Sequence, residues 1–127
     1  MDNARLSYVK IAEIFGVSEA AIRKRVKKLE KAGVIKKYTV EVDPRKLGFE
    51  IKALIGVDST PERFIHLVNE LKTMDNVISL YTASGDHMII IECWFKNSGE
   101  LSEFIKLLEE KRGVTRVCPA IILEKIK

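Results

Sequence analysis

The chain has 127 residues, 46% of them hydrophobic and 31% charged, with a formal net charge of +4 at pH 7. That length holds one domain or two small ones, and units of about 45 and 75 residues would each lie near the lower limit for folding alone, a difficulty that oligomerisation relieves. No apolar run reaches about 18 residues and the N-terminus carries no apolar segment, which argues against a membrane span or a secretory signal and leads to the expectation of a cytoplasmic protein with no membrane partner.

The charge is unevenly distributed. Residues 1–40 carry ten Lys and Arg against four Asp and Glu, whereas residues 41–127 carry twelve against fourteen. A basic end joined to a nearly neutral one suggests one part for nucleic acid and another for something else.

In chain order, Leu6 to Tyr38 holds two helical patterns joined by a glycine turn. In the first, Val9, Ala12 and Ile14/Phe15 recur at helical spacing, with Ala12 small enough for a second helix to approach, and Gly16 supplies the left-handed turn residue. Ser18 is placed to cap the second helix, and Glu19 falls in its first turn, where the helix dipole favours an anion. At about 100° per residue, Ile22, Val26 and Leu29 share a narrow apolar stripe. Ala20, Lys24, Lys27 and Lys31 gather on the far side, flanked by Arg23 and Lys28. A run of charge is by default only a solvated face. The glycine turn, the capped second helix and the scarcity of acid along the basic arc favour instead a DNA-reading helix-turn-helix.

Ala32-Gly33 signals the end of that helix, and Val34 to Val42 reads as a strand, hence a wing. Lys36 and Lys37 on it are candidates for phosphate contacts, although lysines on an exposed strand also discourage edge pairing. Residues 1–42 are therefore expected to form a winged helix-turn-helix DNA-binding domain, and residues 43–50, with Asp43-Pro44-Arg45-Lys46-Leu47-Gly48, a linker.

Residues 51–127 alternate regularly. Ile51 to Asp58 reads as a strand, and Ser59-Thr60-Pro61-Glu62 as a cap with Pro at the first helical position before the stripe Phe64, Leu67, Val68, Leu71. Asn76 to Ser84 is a strand, Gly85-Asp86 a turn, and Met88 to Phe95 an apolar run expected to be a central strand buried on both faces. Asn97 and Glu100 offer a capping box before a helix with Leu101, Phe104, Ile105 and Leu108, and after Gly113 a last strand runs from Val114 to Ile126. The order β-α-β-β-α-β is the ferredoxin-like layout, so the fold class is α+β.

A helix-turn-helix reading NARLSYVKIAEIFGVSEAAIRKRVKKLEKAGVIKKYTVEVDP, followed by a β-α-β-β-α-β domain with a Ser84-Gly85-Asp86 turn, resembles the Lrp/AsnC family of feast/famine transcriptional regulators over essentially the whole chain. The resemblance implies a RAM/ACT-like second domain that binds an effector and assembles the protein as a homodimer or octamer, presenting paired reading heads to double-stranded DNA. It implies recognition by Ser18, Glu19, Ala20, Arg23, Lys24 and Lys27, and an amino acid or related small molecule bound in clefts between dimers near the turn of Ser84, Gly85, Asp86 and His87. No catalytic residue, metal site or cofactor is expected.

Two departures from the family pattern stand out. Family members usually begin with a further helix of about three turns, whereas this sequence starts at Met1-Asp2-Asn3; either the reading frame has been started too late or a partner chain covers the face left exposed. The turn reads Gly85-Asp86-His87-Met88 where relatives tend to read Gly-Asp-Tyr-Asp, which removes one carboxylate, and Cys118-Pro119-Ala120 stands where relatives often carry hydroxyls. A different effector, or none, is compatible with these changes. Asp86 either receives the ammonium of an amino acid or completes a hairpin turn. His66 lies opposite the apolar stripe of its helix and reads as exposed and silent; His87 sits beside Asp86, though a lone loop histidine is more often incidental. Cys93 and Cys118 fall in apolar runs and read as small hydrophobes. An alternative of another class is an enzyme like the sirohaem decarboxylases, which share the two-domain shape and use histidine and arginine; only His87 is a candidate for that chemistry here. An RNA-recognition module would need stacking aromatics that this sheet lacks.

Overall fold

The computed structural model describes residues 7–127; Met1 to Leu6, which include the Asn3-Ala4-Arg5 start of the resemblance, lie outside the described residues. The chain divides into two compact units, Met1–Val42 and Asp43–Lys127.

In the first unit, α1 (Tyr8–Phe15) is capped by Ser7, whose hydroxyl accepts the Lys10 N–H at 3.2 Å. Gly16 follows in the left-handed conformation, φ 66°, which a side chain would strain, and the chain turns into α2 (Glu19–Lys31). Ser18 caps α2 as expected, accepting the Ala21 N–H at 3.2 Å. Ile11, Ala12 and Ile22 are buried between the helices, with Tyr8, Val17 and Val26 packed around them.

Two expectations are corrected in this unit. Val9, Ile14 and Phe15, placed on the packing stripe of α1, are exposed at 49%, 68% and 69%, as is Leu29 of α2 at 41%. An eight-residue helix rich in apolar residues offers two stripes, and α2 covers the one marked by Tyr8, Ile11 and Ala12. The second correction is the wing: residues 36–42 run without regular structure, because no other described segment supplies the ladder of hydrogen bonds a strand needs. Tyr38 anchors this segment instead, its phenol donating to the Glu30 carboxylate at 2.5 Å; that bond pushes the phenol's pKa up to about 12.

The second unit opens with a 3-10 turn, Pro44–Leu47, capped by Asp43, whose Oδ1 accepts the Arg45 N–H at 3.0 Å. Much of the stretch expected as a linker is thus ordered structure at the start of this unit. The strands β1 (Ile51–Ser59), β2 (Val77–Thr82), β3 (Ile89–Phe95) and β4 (Val114–Ile121) form one sheet in the order β2-β3-β1-β4, with every neighbouring pair antiparallel. Helices α3 (Phe64–Lys72) and α4 (Ser98–Glu110) cover one face of it. This is the ferredoxin-like arrangement that the element order implied.

The core lies between sheet and helices: Ala53, Ile55 and Val57 of β1 and Ile89, Ile91, Cys93 and Phe95 of β3 meet Leu67 and Leu71 of α3 and Leu101, Phe104 and Leu108 of α4. Phe95 and Phe104 stack tilted with ring centres 5.3 Å apart. Burial pushes the Cys93 thiol up to about 12, consistent with a packing role. Asn97 accepts the Glu100 N–H at 2.9 Å while Glu100 accepts the Lys96 N–H at 2.8 Å, so the capping box forms. Lys111 pairs with Glu70 at 2.7 Å and holds that carboxyl below its ordinary range.

Three further expectations change here. β3 is not buried on both faces: Ile89, Ile91, Cys93 and Phe95 are buried, but Ile90, Glu92 and Trp94 face the side that α3 and α4 leave uncovered. Pro61 opens a 3-10 turn, Pro61–Arg63, and α3 begins only at Phe64, Thr60 making no side-chain cap. The last strand stops at Ile121, with the Ile122 N–H still donating to the Lys52 carbonyl at 2.8 Å, because its partner β1 begins at Ile51 and offers little beyond.

Leu71 is fully buried in this core. Leu71→Ala should destabilise the second unit by about 2 to 5 kcal/mol through lost burial and the residual cavity, measured by urea unfolding; a loss below about 1 kcal/mol would contradict the packing described.

Candidate nucleic-acid interface and effector turn

The 3.6-residue repeat of α2 separates its packing side from its charged side. With Ile22 buried, Ser18, Glu19, Ala20, Arg23, Lys24, Lys27 and Lys28 are all exposed. Glu19, Ala20, Arg23, Lys24 and Lys27 line an open concavity of about 460 Å³. The Arg23 guanidinium donates to Glu19 at 2.7 Å and lies 4.9 Å from the centre of the Tyr8 ring. Lys36 and Lys37 are exposed on the irregular segment beyond α2, without the strand on which they were expected.

In the second unit, the turn of Ser84, Gly85, Asp86 and His87 does not stand alone. Register pairs Asp58 of β1 with Arg116 of β4, and β1 lies beside β3, so three strands converge on this turn. Asp58 accepts the Met88 N–H at 2.8 Å and His87 Nδ1 lies 2.9 Å from its other oxygen, with Arg116 Nε at 3.6 Å. An ionised carboxylate only accepts, so Nδ1 carries the proton in this pair. Burial pushes the Asp58 carboxyl up, but the Met88 N–H, the His87 ring and Arg116 together outweigh it and hold the carboxyl below its ordinary value. Arg116 also donates to Asp86 at 2.9 Å.

His87 fits because residue 56 is glycine: a Cβ there would lie 2.5 Å from the imidazole ring. His87 is therefore held in place by its packing, and the Asp86 carboxylate on the same turn pairs with Arg116. His66, by contrast, is an exposed partner of Glu70 at 2.7 Å. Sequence reasoning missed Asp58, Arg116 and Gly56. The signal for Asp58 was a lone acid in the apolar strand ALIGVDS, and only the strand order brings Arg116 to it.

The lowered Asp58 carboxyl has a consequence for pH. Its stabilisation is complete above the unfolded value near pH 4 and is lost as pH falls through the lower folded value. Asp58→Asn should cost about 1.5 to 3 kcal/mol at neutral pH, and the wild-type advantage should shrink below about pH 4. An advantage that grows on acidification would contradict the charge assignment.

Comparison with known proteins bears on both ends. Residues 1–36 match the family described as winged helix-turn-helix DNA-binding, and residues 52–127 the Lrp/AsnC ligand binding domain. The HTH-type transcriptional regulators LrpA of Pyrococcus abyssi and of Pyrococcus horikoshii are each 44% identical over 126 residues, covering 98% of this chain and 89% of theirs. Among solved structures, Escherichia coli AsnC superposes with a TM-score of 0.87 at 26% identity, over 100% of this chain and 87% of that one. A transcriptional regulator of Neisseria meningitidis in complex with L-Met gives a TM-score of 0.90 at 22% identity, over 99% and 84%. These relatives are named as regulators, which sets aside the enzyme reading. A DNA-binding helix-turn-helix, joined in sequence to a ferredoxin-like domain with the expected β-α-β-β-α-β order of elements, places the chain in the Lrp/AsnC family of transcriptional regulators.

Proposed function

We propose that this DNA-binding regulator is a cytoplasmic homo-oligomer, at least a dimer and by family likeness an octamer, whose assembly or DNA affinity responds to an amino acid or related small molecule. In this reading residues 1–42 bind DNA through Ser18, Glu19, Ala20, Arg23, Lys24, Lys27, Lys28, Lys36 and Lys37. Residues 43–50 connect them to residues 51–127, which bind the effector and assemble the protein.

The Asp86–Arg116 pair carries the effector half of the proposal. Its two charges stand 2.9 Å apart with the Asp86 side chain 81% exposed, and an α-amino acid carries the complementary two: its ammonium suits Asp86 and its carboxylate the Arg116 guanidinium. Binding would replace one ion pair by two, with Asp58 and His87 holding the turn in position behind. The family's second carboxylate is absent at Met88, so the ammonium would rest on Asp86. A family fold neighbour was solved with L-Met bound, which makes small apolar amino acids the first to try.

Support for assembly comes from the uncovered sheet face. Leu54, Tyr81, Ile90 and Trp94 lie on it by register, and the Trp94 Nε1 is buried with no acceptor among the described residues. The same face carries the Lys52–Glu92 ion pair, 3.6 Å apart; apolar residues exposed in this way beside a charged pair suit an association surface, and a second copy of the chain is the occupant that the family likeness supplies. Among the described residues no helix is long and apolar enough to cross a membrane.

Both halves are read by mass in solution with and without each amino acid, together with titration calorimetry. The expected result is a dimer or larger species at micromolar concentration whose mass or DNA affinity changes with a binding amino acid, and an Asp86→Ala protein whose Kd for it rises about 10-fold to 150-fold. A monodisperse monomer would contradict the assembly, and an Asp86→Ala protein that binds the amino acid as wild type does would move the effector site elsewhere.

A further inference from the structure

Arg23 differs from the other cations on the exposed side of α2. Its guanidinium is held from two directions, by the Glu19 carboxylate one turn back at 2.7 Å and by the face of the Tyr8 ring on α1 at 4.9 Å. Lys24 and Lys27 line the same concavity with no ion pair or hydrogen bond among the described residues to fix them.

The restraint matters because two kinds of contact to DNA make different demands. A phosphate is satisfied by a mobile point charge, and a lysine on a flexible stem supplies one. The major-groove edge of guanine presents two acceptors, O6 and N7, in a fixed plane, and a guanidinium matches both only when its own plane is set. Glu19 occupies one of five guanidinium donors and leaves enough for a two-pronged contact. The Tyr8 ring, 4.9 Å from the guanidinium carbon, restrains the group from a second direction.

Glu19 carries a second meaning. Its side chain is 47% exposed in the first turn of α2, on the side the phosphates would approach, where a negative charge weakens binding to DNA of every sequence. A group that lowers general affinity while orienting a base-reading side chain contributes discrimination.

Resting on the assignment of this side of α2 to DNA, we infer that Arg23 reads the edge of a guanine in each half of the operator. Glu19 and Tyr8 are positioning residues that set its guanidinium, and Lys24 and Lys27 hold phosphates.

The test uses the full chain and a pool of random-sequence duplexes. The duplexes that wild type retains are re-synthesised with each guanine in turn replaced by 7-deazaguanine, which lacks N7 and keeps O6. One guanine per half-site should lose binding on replacement by about 5-fold to 150-fold. Arg23→Ala, or Arg23→Met as a second variant with the same circular dichroism, should bind both duplexes alike. Glu19→Gln should bind random-sequence duplex more tightly than wild type while its discrimination against 7-deazaguanine falls; a purely structural role would weaken both duplexes together. Tyr8→Phe should retain the discrimination that Tyr8→Leu loses. Lys24→Ala should lower affinity for both duplexes equally. Discrimination that survives in the Arg23 variants, or a wild-type site with no sensitive guanine, overturns the inference. Discrimination lost with Arg23 but untouched in Glu19→Gln and Tyr8→Leu overturns the positioning roles. Wild-type binding that does not respond to salt would instead remove the assignment of this side of α2 to DNA.

Discussion

Helix α2 has to bury one side while leaving the other open to water, and its thirteen residues are divided accordingly. Ile22 goes under α1 beside Ile11 and Ala12, and Arg23, Lys24, Lys27 and Lys28 stay in water because desolvating unpaired charge would cost far more than this small core returns. The period of 3.6 residues makes both demands compatible on one short helix. Gly16 and the Ser18 cap fix where the helix starts and so which residues fall on which side; a start displaced by one residue would rotate the charged arc by about 100°. The placement of the charged arc thus depends on the packing of three buried residues.

The second unit solves a different problem with the same economy of means. Two helices cover only one face of a four-stranded sheet, so the strands alternate buried core residues with an uncovered set that includes Leu54, Ile90 and Trp94. At the β1 end of that uncovered side the alternation places Asp58, and the crossed strand order brings it His87 from the turn before β3 and Arg116 from β4. One partly buried carboxylate thereby joins three strands beside Asp86. Its position explains why residue 56 is glycine and why the turn is ordered, since the imidazole needs the space that a Cβ would fill.

Periodicity carried most of the fold. The stripes of α3 and α4, the capping box at Asn97 and the β-α-β-β-α-β order of elements all followed from spacing and punctuation, because those signals are local and the residues that made them are the ones that pack. The misreadings have a common physical origin in what lies alongside. An apolar run such as Met88 to Phe95 looks the same whether one or both faces are covered, and the count of helices decides it. The apolar residues of α1 formed two stripes, and only the position of α2 selects between them. The segment after Gly33 has the composition of a strand and no partner to pair with. At the sites, the basic arc of α2 was legible because a helix wheel needs no tertiary knowledge. The Asp58–His87–Arg116 cluster was not, because its members lie 29 residues apart or more in each bond to His87 and meet only through strand order.

The central claim is that the exposed side of α2 meets the phosphates of double-stranded DNA. Its most direct measure is the dependence of DNA affinity on salt concentration for wild type and for Lys24→Ala combined with Lys27→Ala, two changes that leave the buried residues of α2 untouched. Each phosphate contact contributes about 0.9 to the slope of log K against log salt, so the double variant should lose about 2 units per reading head while its thermal unfolding is unchanged. An unchanged slope in a folded double variant would contradict the account.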